Sequence, residues 1–305
     1  MTKSVTVRVP ATTANCGPGF DCLGIALTHY NTFSFSLLDD EGFKVQVIGE
    51  GEKLFAADKS NLAIDSMFRV LKKYQKPLPK GVALKMQNNV PLARGMGSSS
   101  SAIVAGVLAA NYFAGLELSR TELLTVANEI EGHPDNVAPA LFGGVTLSYV
   151  QDGVAYSENI VCGKPFKLVV VVPEMRLETK LARSVLPEQV SMKDAIFNLS
   201  RAALFVNSIQ SGNLANLKHA LQDKLHQPYR SKLIPHMQEI FAAAQKCGAY
   251  GSAISGAGST LIAFCPIDSD HHAIGAAMKN IFSDNKIKAR YHVLDIDMQG
   301  ARIEL

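Results

Sequence analysis

The most constraining feature of this sequence is a glycine-rich segment that leads directly into a stretch of small apolar residues. Residues 91–101 are Pro-Leu-Ala-Arg-Gly-Met-Gly-Ser-Ser-Ser-Ser, and Ala-Ile-Val-Ala-Gly follows. Gly95 and Gly97 permit backbone conformations that a Cβ disfavours, and a buried helix is predicted from Ser98 to Phe113. The first N–H groups of a helix lack intrahelical partners and carry the positive end of its dipole. This loop is therefore a candidate phosphate site.

A structural role is the alternative for this loop, because a serine N-cap after a turn begins many helices. Four consecutive serines favour a binding role, since serine is a mediocre helix former. The loop is not a Walker A motif, which requires Gly-x-x-x-x-Gly-Lys followed by Ser or Thr. It also lacks the third glycine of a dinucleotide-binding Rossmann turn.

Composition and charge exclude several other classes of protein. The chain has 305 residues, 47% of them hydrophobic, and can bury a sizeable core. Its 30 basic and 27 acidic residues nearly balance, so we expect no nucleic-acid partner. Apolar runs such as residues 102–110 are too short to cross a membrane, and no secretory signal opens the sequence. Five scattered cysteines without a Cys-x-x-Cys pair predict neither a zinc site nor disulfides and favour the cytoplasm.

The order of the hydrophobic patterns predicts an α+β chain of two intimate lobes. Strands are predicted over residues 4–9, 31–38, 43–48, 82–86, 145–149, 168–172, 249–254, 261–264 and 291–296. Helices are predicted over residues 61–75, 98–113, 119–131, 234–246 and 273–282. We place the division between the lobes at residue 160, so that they comprise residues 1–160 and 161–305.

Two further glycine-rich segments lie far from the loop in sequence. Residues 9–24 are Val-Pro-Ala-Thr-Thr-Ala-Asn-Cys-Gly-Pro-Gly-Phe-Asp-Cys-Leu-Gly and place Asn15 and Asp21 six positions apart. Residues 248–260 are Gly-Ala-Tyr-Gly-Ser-Ala-Ile-Ser-Gly-Ala-Gly-Ser-Thr and connect two predicted strands. Either segment alone is as typical of a structural turn as of a binding loop.

Together and in this order, the three segments resemble the signature motifs of the GHMP kinases, a family that includes galactokinase and mevalonate kinase. The resemblance covers essentially the whole chain. Within the family, residues 9–24 are similar to the branch that acts on the amino acid L-homoserine. The same is true of the segments 133–140 (His-Pro-Asp-Asn-Val-Ala-Pro-Ala), 179–187 (Thr-Lys-Leu-Ala-Arg-Ser-Val-Leu-Pro) and 227–235 (Gln-Pro-Tyr-Arg-Ser-Lys-Leu-Ile-Pro).

The resemblance implies the GHMP kinase fold, with an N-terminal lobe like domain 2 of ribosomal protein S5 and a ferredoxin-like C-terminal lobe. The nucleotide is then expected at the loop of the first lobe, and the acceptor in the cleft that the second lobe completes. The implied reaction is phosphorylation of the side-chain hydroxyl of L-homoserine by ATP with Mg²⁺, a step toward threonine. Small-molecule substrates are the expected partners, and a homodimer is compatible with the sequence.

The resemblance also assigns residues to the nucleotide. They are Pro91, Leu92, Ala93, Arg94, Gly95, Met96, Gly97, Ser98, Ser99, Ser100 and Ser101 of the loop, together with Asn61 on the adenine side. For Asn61, the N-cap of a helix is an equally good interpretation.

The implied metal ligands are Glu129, from the helix predicted to end near residue 131, and Ser99. Glu131 is a competing candidate for the carboxylate. Residues two apart on a helix point about 200° apart, so only one of the two glutamates can face the loop. We prefer Glu129.

The acceptor residues follow from the same resemblance. Arg183 and Arg230 would bind the carboxylate of the amino acid with their planar guanidinium groups. Asp21 would bind its ammonium group, and Asn15 and Asn136 would orient its hydroxyl. A surface ion pair is the alternative for each arginine taken alone.

Three further points complete the hypothesis. Gly256, in the third segment, is expected to line the acceptor site. Asn136, Asp135 and Glu129 are the predicted catalytic residues, and Asp135 is the candidate general base among them. A base is not essential, because the loose transition state of phosphoryl transfer requires mainly positioning.

Two alternative functions stay open: a related kinase of a mevalonate- or sugar-type alcohol, and a sensor with this fold but no catalysis.

Overall fold

The computed structural model describes residues 3–52, 58 and 60–304, and they form an α+β chain with two sheets. The strands are β1 (Ser4–Ala14), β2 (Leu23–Leu38), β3 (Gly42–Gly49), β4 (Gly81–Asn88), β5 (Val145–Gln151), β6 (Val154–Ile160), β7 (Lys167–Pro173), β8 (Gly251–Ile254), β9 (Leu261–Cys265), β10 (Ala289–Leu294) and β11 (Arg302–Glu304). The helices are α1 (Leu62–Lys73), α2 (Ser98–Ala114), α3 (Arg120–Glu131), α4 (Pro134–Phe142), α5 (Thr179–Ser184), α6 (Met192–Ser211), α7 (Leu217–Ala220), α8 (Gln227–Arg230), α9 (Met237–Lys246) and α10 (His271–Asp284).

The first sheet has the strand order β11-β1-β2-β4-β3, and β5 and β6 extend it from the start of β2. Its pairs are antiparallel except for β3 and β4. Alternate residues of β1 and β2, such as Val7 and Phe33, are fully buried against helices α1 to α4. Helix α2 is apolar around most of its circumference and lies in the middle of this core, as expected of a helix without a polar face. The phosphate-site candidate thus lies at the N-terminus of a buried helix that is packed around most of its circumference.

The second sheet has the strand order β10-β7-β9-β8, and every pair is antiparallel. Strand β7 is followed by helices, then by β8, β9, a helix and β10, which is the βαββαβ connectivity of a ferredoxin-like fold. Helices α9 and α10 cover one face of this sheet. The ferredoxin-like lobe expected from the resemblance is therefore confirmed.

The two sheets share a hydrophobic core. Leu23 and Ile25 of β2 belong to the same buried cluster as Leu168 and Val170 of β7 and Phe205 of α6. Residues 168–172 of β7 are all apolar because one face of the strand packs on this shared core and the other on the helices. A common core thus holds the two sheets in contact.

The end of the chain departs from the expected pattern. Strand β11, which the hydrophobic pattern did not predict, pairs with β1 and brings Ile303 opposite Val7. The chain after residue 160 therefore contributes to both sheets, and the division at that position stays a prediction. No helix within residues 3–52 and 60–304 is long and apolar enough to cross a membrane.

Candidate active site

The three glycine-rich segments meet at one place. The backbone N–H of Thr12 donates to the carbonyl of Met96 over 3.1 Å, and that of Gly256 donates to Ala14 over 3.1 Å. The hydroxyl of Ser255 donates to the carbonyl of Gly95 over 2.6 Å. The segments around residues 12, 95 and 255 are thus joined in space by backbone groups and the hydroxyl of Ser255, although they lie in different parts of the sequence.

Two glycines of the loop are required by this junction. Gly97, the N-cap of α2, has a φ of 70°, and a Cβ on it would lie 2.0 Å from the hydroxyl of Thr12. Gly95 has a φ of +77°, and its Cβ would lie 2.0 Å from the carbonyl oxygen of Ser255. Both positions combine a left-handed backbone with a close approach of another segment. The glycines therefore serve the packing of the three motifs.

A cavity of about 460 Å³ opens over the loop and extends between the lobes. Most of the predicted site residues line it: Asn15, Asp21, Pro91, Leu92, Ala93, Arg94, Gly95, Met96, Gly97, Ser98, Ser99, Ser100, Asp135, Asn136, Arg183, Arg230 and Gly256. Ser101, Asn61 and Glu129 are not among the lining residues. The cavity thus joins the phosphate-site candidate to the predicted acceptor residues.

Two of the residues outside the lining have structural roles. The hydroxyl of Ser101 donates to the carbonyl of Ser98 over 2.8 Å and accepts from Asn31. The carboxamide of Asn61 accepts from the backbone N–H of Ala63 over 3.1 Å and caps α1. The N-cap interpretation of Asn61 is therefore confirmed, and its assignment to adenine stays a prediction.

The geometry contradicts the preference for Glu129. Its carboxylate accepts two hydrogen bonds from the ammonium group of Lys73, over 2.5 and 2.6 Å, on the exposed face of α3. Glu131 lines the cavity instead, and its carboxylate accepts from the hydroxyls of Ser99 and Ser100 over 3.2 and 2.7 Å. The expectation that only one glutamate faces the loop is confirmed, but the choice between them was wrong. The orientation of α3 about its own axis determines which of the two glutamates faces the loop.

At the end of the cavity lined by the residues predicted to bind the phosphoryl acceptor (the acceptor end), Asp21 and Arg183 bind each other. The guanidinium donates to the two carboxylate oxygens over 3.0 and 2.6 Å. Both side chains keep about a third of their surface exposed, 37% for Arg183 and 34% for Asp21. A left-handed backbone at Asp21, with a φ of 59°, turns this carboxylate toward the cavity. The two groups predicted to bind opposite ends of an amino acid thus form a bidentate pair.

Arg230 is a buried cation, only 1% exposed. Its guanidinium donates to the carbonyls of Ala182 and Gly256, each over 3.1 Å, and to Nδ1 of His226 over 3.3 Å. Burial and, in addition, the charge of Arg183 lower the pKa of Arg230 to about 10. It therefore stays charged at neutral pH.

The helix α4 begins with a polar cluster at the floor of the cavity. His133 Nδ1 lies 2.7 Å from the carboxylate of Asp135, and Asn136 donates to the same carboxylate over 3.3 Å. The carboxamide oxygen of Asn136 accepts from the hydroxyl of Thr12 over 2.8 Å. Burial lowers the pKa of His133, but the hydrogen bond and charge of Asp135 outweigh it, and the net pKa is raised. Asn136 and Asp135 are thus held in place from two sides.

Asn15 lines the cavity, but both ends of its carboxamide have protein partners. Its amide group donates to the carbonyl of Gly256 over 2.8 Å, and its oxygen accepts from the backbone N–H of Asp21 over 3.0 Å. Asn15 therefore holds the first and third segments together, and its role toward a hydroxyl stays a prediction.

Sequence reasoning missed several lining groups. His133 and Arg176 line the cavity, and Phe20 packs against both acceptor arginines, with its ring centroid 5.3 Å from the guanidinium of Arg183 and 5.1 Å from that of Arg230. Potential ligand atoms of Asp21, His133 and Asp135 lie within 4.8 Å of one another. Both carboxylates of that cluster already have protein partners. The position of His133 at the start of segment 133–140 was the available signal.

Models of two protein domains match this chain. The N-terminal domain of the GHMP kinases matches residues 61–144, and their C-terminal domain matches residues 204–284. The first match contains the serine loop and α4, and the second contains α8 and the third glycine-rich segment. Together the two models cover more than half of the chain and include most of the residues around the cavity.

Similar proteins extend these matches to nearly the full length. A homoserine kinase of Desulfitobacterium hafniense is 42% identical over 301 residues, with 98% of this chain and 99% of that protein covered. One of Nostoc punctiforme is 43% identical, with 98% of each covered. The crystal structure of homoserine kinase from Cytophaga hutchinsonii superposes with a TM-score of 0.90 at 29% identity, covering 100% of this chain and 98% of that one. A mevalonate kinase of L. major, at 18% identity and a TM-score of 0.73, has the same fold. The chain belongs to the GHMP kinase family.

Proposed function

We propose that this chain transfers the γ-phosphoryl group of ATP to the side-chain hydroxyl of L-homoserine, giving ADP and O-phospho-L-homoserine. The observation that carries the proposal is one cavity that joins a serine loop at a helix N-terminus to two arginines and an aspartate. The names of the relatives with 42% and 43% identity support it, and GHMP kinases use ATP as their phosphate donor.

The loop end suits the phosphates of the nucleotide. The N-terminus of α2, with its backbone N–H groups and the hydroxyls of Ser99 and Ser100, offers donors and positive potential. The carboxylate of Glu131 is within hydrogen-bond distance of both hydroxyls, and one carboxylate with hydroxyl and phosphate oxygens is a donor set that suits Mg²⁺. We infer that Glu131, with Ser99, would hold the metal. When bound, Mg²⁺ would neutralise charge on the β- and γ-phosphate oxygens.

The acceptor end suits a zwitterion. The pair of Asp21 and Arg183 is partly exposed and lines the cavity. An amino acid carries both charges, so its ammonium group could take the place of Arg183 beside Asp21, and its carboxylate the place of Asp21 beside Arg183. Its ammonium group would bind Asp21, and its carboxylate would bind Arg183 and Arg230. Because Arg230 is buried, its charge favours an anionic ligand group strongly.

The hydroxyl of the acceptor would then lie between Asn136 and the loop. Asn136 and Asp135 are ordered by Thr12 and His133, which favours a fixed position for the nucleophile. Holding two reactants in line accounts for a large part of a phosphoryl-transfer rate. The carboxylate of Asp135 is the candidate acceptor of the hydroxyl proton.

The test is ADP release from MgATP with a panel of acceptors: L-homoserine, mevalonate, shikimate and galactose. Turnover only with homoserine is expected, because a buried site that pairs two charges rejects analogues lacking one of them by about 10⁴-fold or more. A preference for mevalonate or galactose would instead favour a related alcohol kinase. Binding of ATP and homoserine by calorimetry without ADP release would favour a non-catalytic sensor.

A further inference from the structure

The buried guanidinium of Arg230 is held without a carboxylate. Within residues 3–52, 58 and 60–304, no acidic side chain lies within ion-pair distance of it. Its three protein acceptors, the carbonyls of Ala182 and Gly256 and the imidazole of His226, are uncharged. Neutral acceptors orient a guanidinium without cancelling its charge, and the carboxylates of Asp21, Asp135 and Asp223 act on it only from beyond ion-pair distance, so the charge remains available to a ligand.

His226 is the side-chain member of this set, and it is fully buried. Its Nε2 lies 2.7 Å from the carbonyl oxygen of Gly17. A carbonyl oxygen can only accept, so Nε2 carries the hydrogen and Nδ1 is left as an acceptor facing Nη1 of Arg230. Burial is the main cause of a lowered pKa of His226 and Arg230 acts in the same direction, which together outweigh the opposing effects of Asp223, Gly17 and Asp21. The imidazole is therefore neutral and has a defined tautomer.

The carboxylate nearest to His226 is already occupied. Asp223 lies 3.6 Å from Nε2 of the imidazole, but its oxygens accept the backbone N–H groups of Leu225, His226 and Gln227 over 2.9, 2.9 and 2.6 Å. These bonds anchor the start of α8, on which Arg230 follows His226 by four residues. Asp223 thus supports the backbone of the helix, and the imidazole supports the guanidinium.

Phe20 joins the first glycine-rich segment to the same arginine. Its ring stacks on the imidazole of His226, with centroids 5.3 Å apart and planes inclined by 28°. The guanidinium of Arg230 also contacts the ring of Phe20 and lies 5.1 Å from its centroid. Gly17 and Phe20 belong to the segment that also carries Asp21. His226 therefore connects the first glycine-rich segment to Arg230 through both Gly17 and Phe20.

We propose that His226 is a positioning residue for the acceptor carboxylate: its neutral imidazole, bonded to Gly17, fixes the guanidinium of Arg230 at the cavity wall. The inference rests on the proposed function, because it concerns the binding of the same amino acid. It assigns no contact between His226 and the substrate. Loss of the imidazole acceptor should weaken homoserine binding and leave the nucleotide unaffected, since the serine loop lies at the other end of the cavity.

Two variants separate the two hydrogen bonds of His226. In His226→Asn, a carboxamide oxygen near the position of Nδ1 can still accept from Arg230, whereas the bond to Gly17 is lost. In His226→Gln, the longer side chain can still donate to Gly17 but has no acceptor at Nδ1. We expect His226→Gln to raise the KM for homoserine by about tenfold or more, as befits loss of a hydrogen bond to a charged group. His226→Asn should recover most of that affinity, and the KM for ATP should be unchanged in both.

A purely structural role predicts a different result. Equal increases in the homoserine KM for both variants, in parallel with their losses of thermal stability, would overturn the proposal. An unchanged homoserine KM in a folded His226→Gln variant would overturn it as well. In an Arg230→Lys background, the difference between the two variants should disappear, because the group that His226 positions is no longer a guanidinium.

One measurement is independent of the substrate. The ¹⁵N chemical shifts of the His226 imidazole in the wild-type protein report its tautomer, and we expect the neutral form with hydrogen on Nε2. A protonated ring, or hydrogen on Nδ1, would refute the proposed contact with Arg230. If the wild type fails to phosphorylate homoserine, the proposed function fails, while the tautomer still decides whether His226 can accept from Arg230.

Discussion

The two ends of the cavity are constructed in different ways. The phosphate end is largely one continuous segment, residues 91–101, whose backbone and hydroxyls cover the start of a buried helix. The acceptor end consists of side chains from distant segments: Asp21 binds Arg183 across 162 positions, and His226 binds Gly17 across 209. A site of backbone groups can be recognised from local sequence, whereas a site of side chains depends on how the lobes meet.

The two arginines of the acceptor end repeat this contrast on a smaller scale. Arg183 is partly exposed and paired with Asp21, so a ligand has to replace an existing partner. Arg230 is buried and ordered by neutral hydrogen-bond acceptors, and no carboxylate in the described part of the chain lies within ion-pair distance of it. Under the proposed function, the buried arginine would therefore be the pre-organised anchor, and the exposed one would complete the site when the substrate binds.

The largest expected effect tests the phosphate end. Glu131→Gln should lower kcat by about 10²-fold or more, because it removes the carboxylate beside the serine hydroxyls while preserving its shape. Glu129→Gln is the matched control, two residues away on the same helix, and should change kcat by less than about twofold, as for an exposed ion pair. Steady-state ADP release at saturating MgATP measures both. A strong loss of kcat in Glu129→Gln alone would favour Glu129 as the metal ligand.

The next effect tests the acceptor end. Arg230→Lys keeps the charge but loses the planar fork and should cost about 1.5–3 kcal/mol in kcat/KM for homoserine. Arg183→Lys should fall at the lower end of that range, because this side chain is 37% exposed. The KM for ATP should stay constant. Arg69→Lys, in an exposed pair with Asp65, is the control and should leave kcat/KM for homoserine unchanged. Equal losses in the Arg230→Lys and Arg183→Lys variants would remove the contrast between the two arginines.

A third prediction concerns the junction of the three segments. Gly97→Ala should lower the free energy of unfolding by about 1–3 kcal/mol through a left-handed backbone and contact with Thr12. Gly115, at the other end of α2, also has a positive φ but no atom within 4 Å of a Cβ. Gly115→Ala should therefore cost only about 1 kcal/mol. Urea unfolding measures the difference, and equal losses would show that packing on Thr12 contributes nothing.

The smallest effect is a shift in the titration of His133. Despite burial, its pKa should lie above the ordinary value of about 6.5, because Asp135 stabilises the charged ring. The associated stability is present below that ordinary value and is lost as the pH rises through the raised pKa of the folded state. Asp135→Asn should lower the pKa, as measured by NMR titration of the ring protons. An unchanged value would mean that Asp135 is not the cause.

Much of the fold followed from local patterns. The alternation in β1 and β2, the capping box at Ser119 and the small apolar residues of α2 all have physical causes within a few residues. The resemblance to the GHMP kinases supplied the family and the ferredoxin-like connectivity. Strand β11 was missed because three residues carry too little periodicity, and only its pairing with β1 makes it a strand.

By itself, the sequence determined that a glycine- and serine-rich loop, the candidate phosphate site, begins α2 and that only one of the two glutamates can face it. Both conclusions depend on helix geometry, which is local. Tertiary structure decided that Glu131 is that residue, because the choice depends on the rotation of α3 relative to the loop. It also decided that Asp21 and Arg183 are partners and that His226 supports Arg230. These contacts join segments more than a hundred residues apart or depend on the burial of a charge, and neither property is present in the chain before it folds.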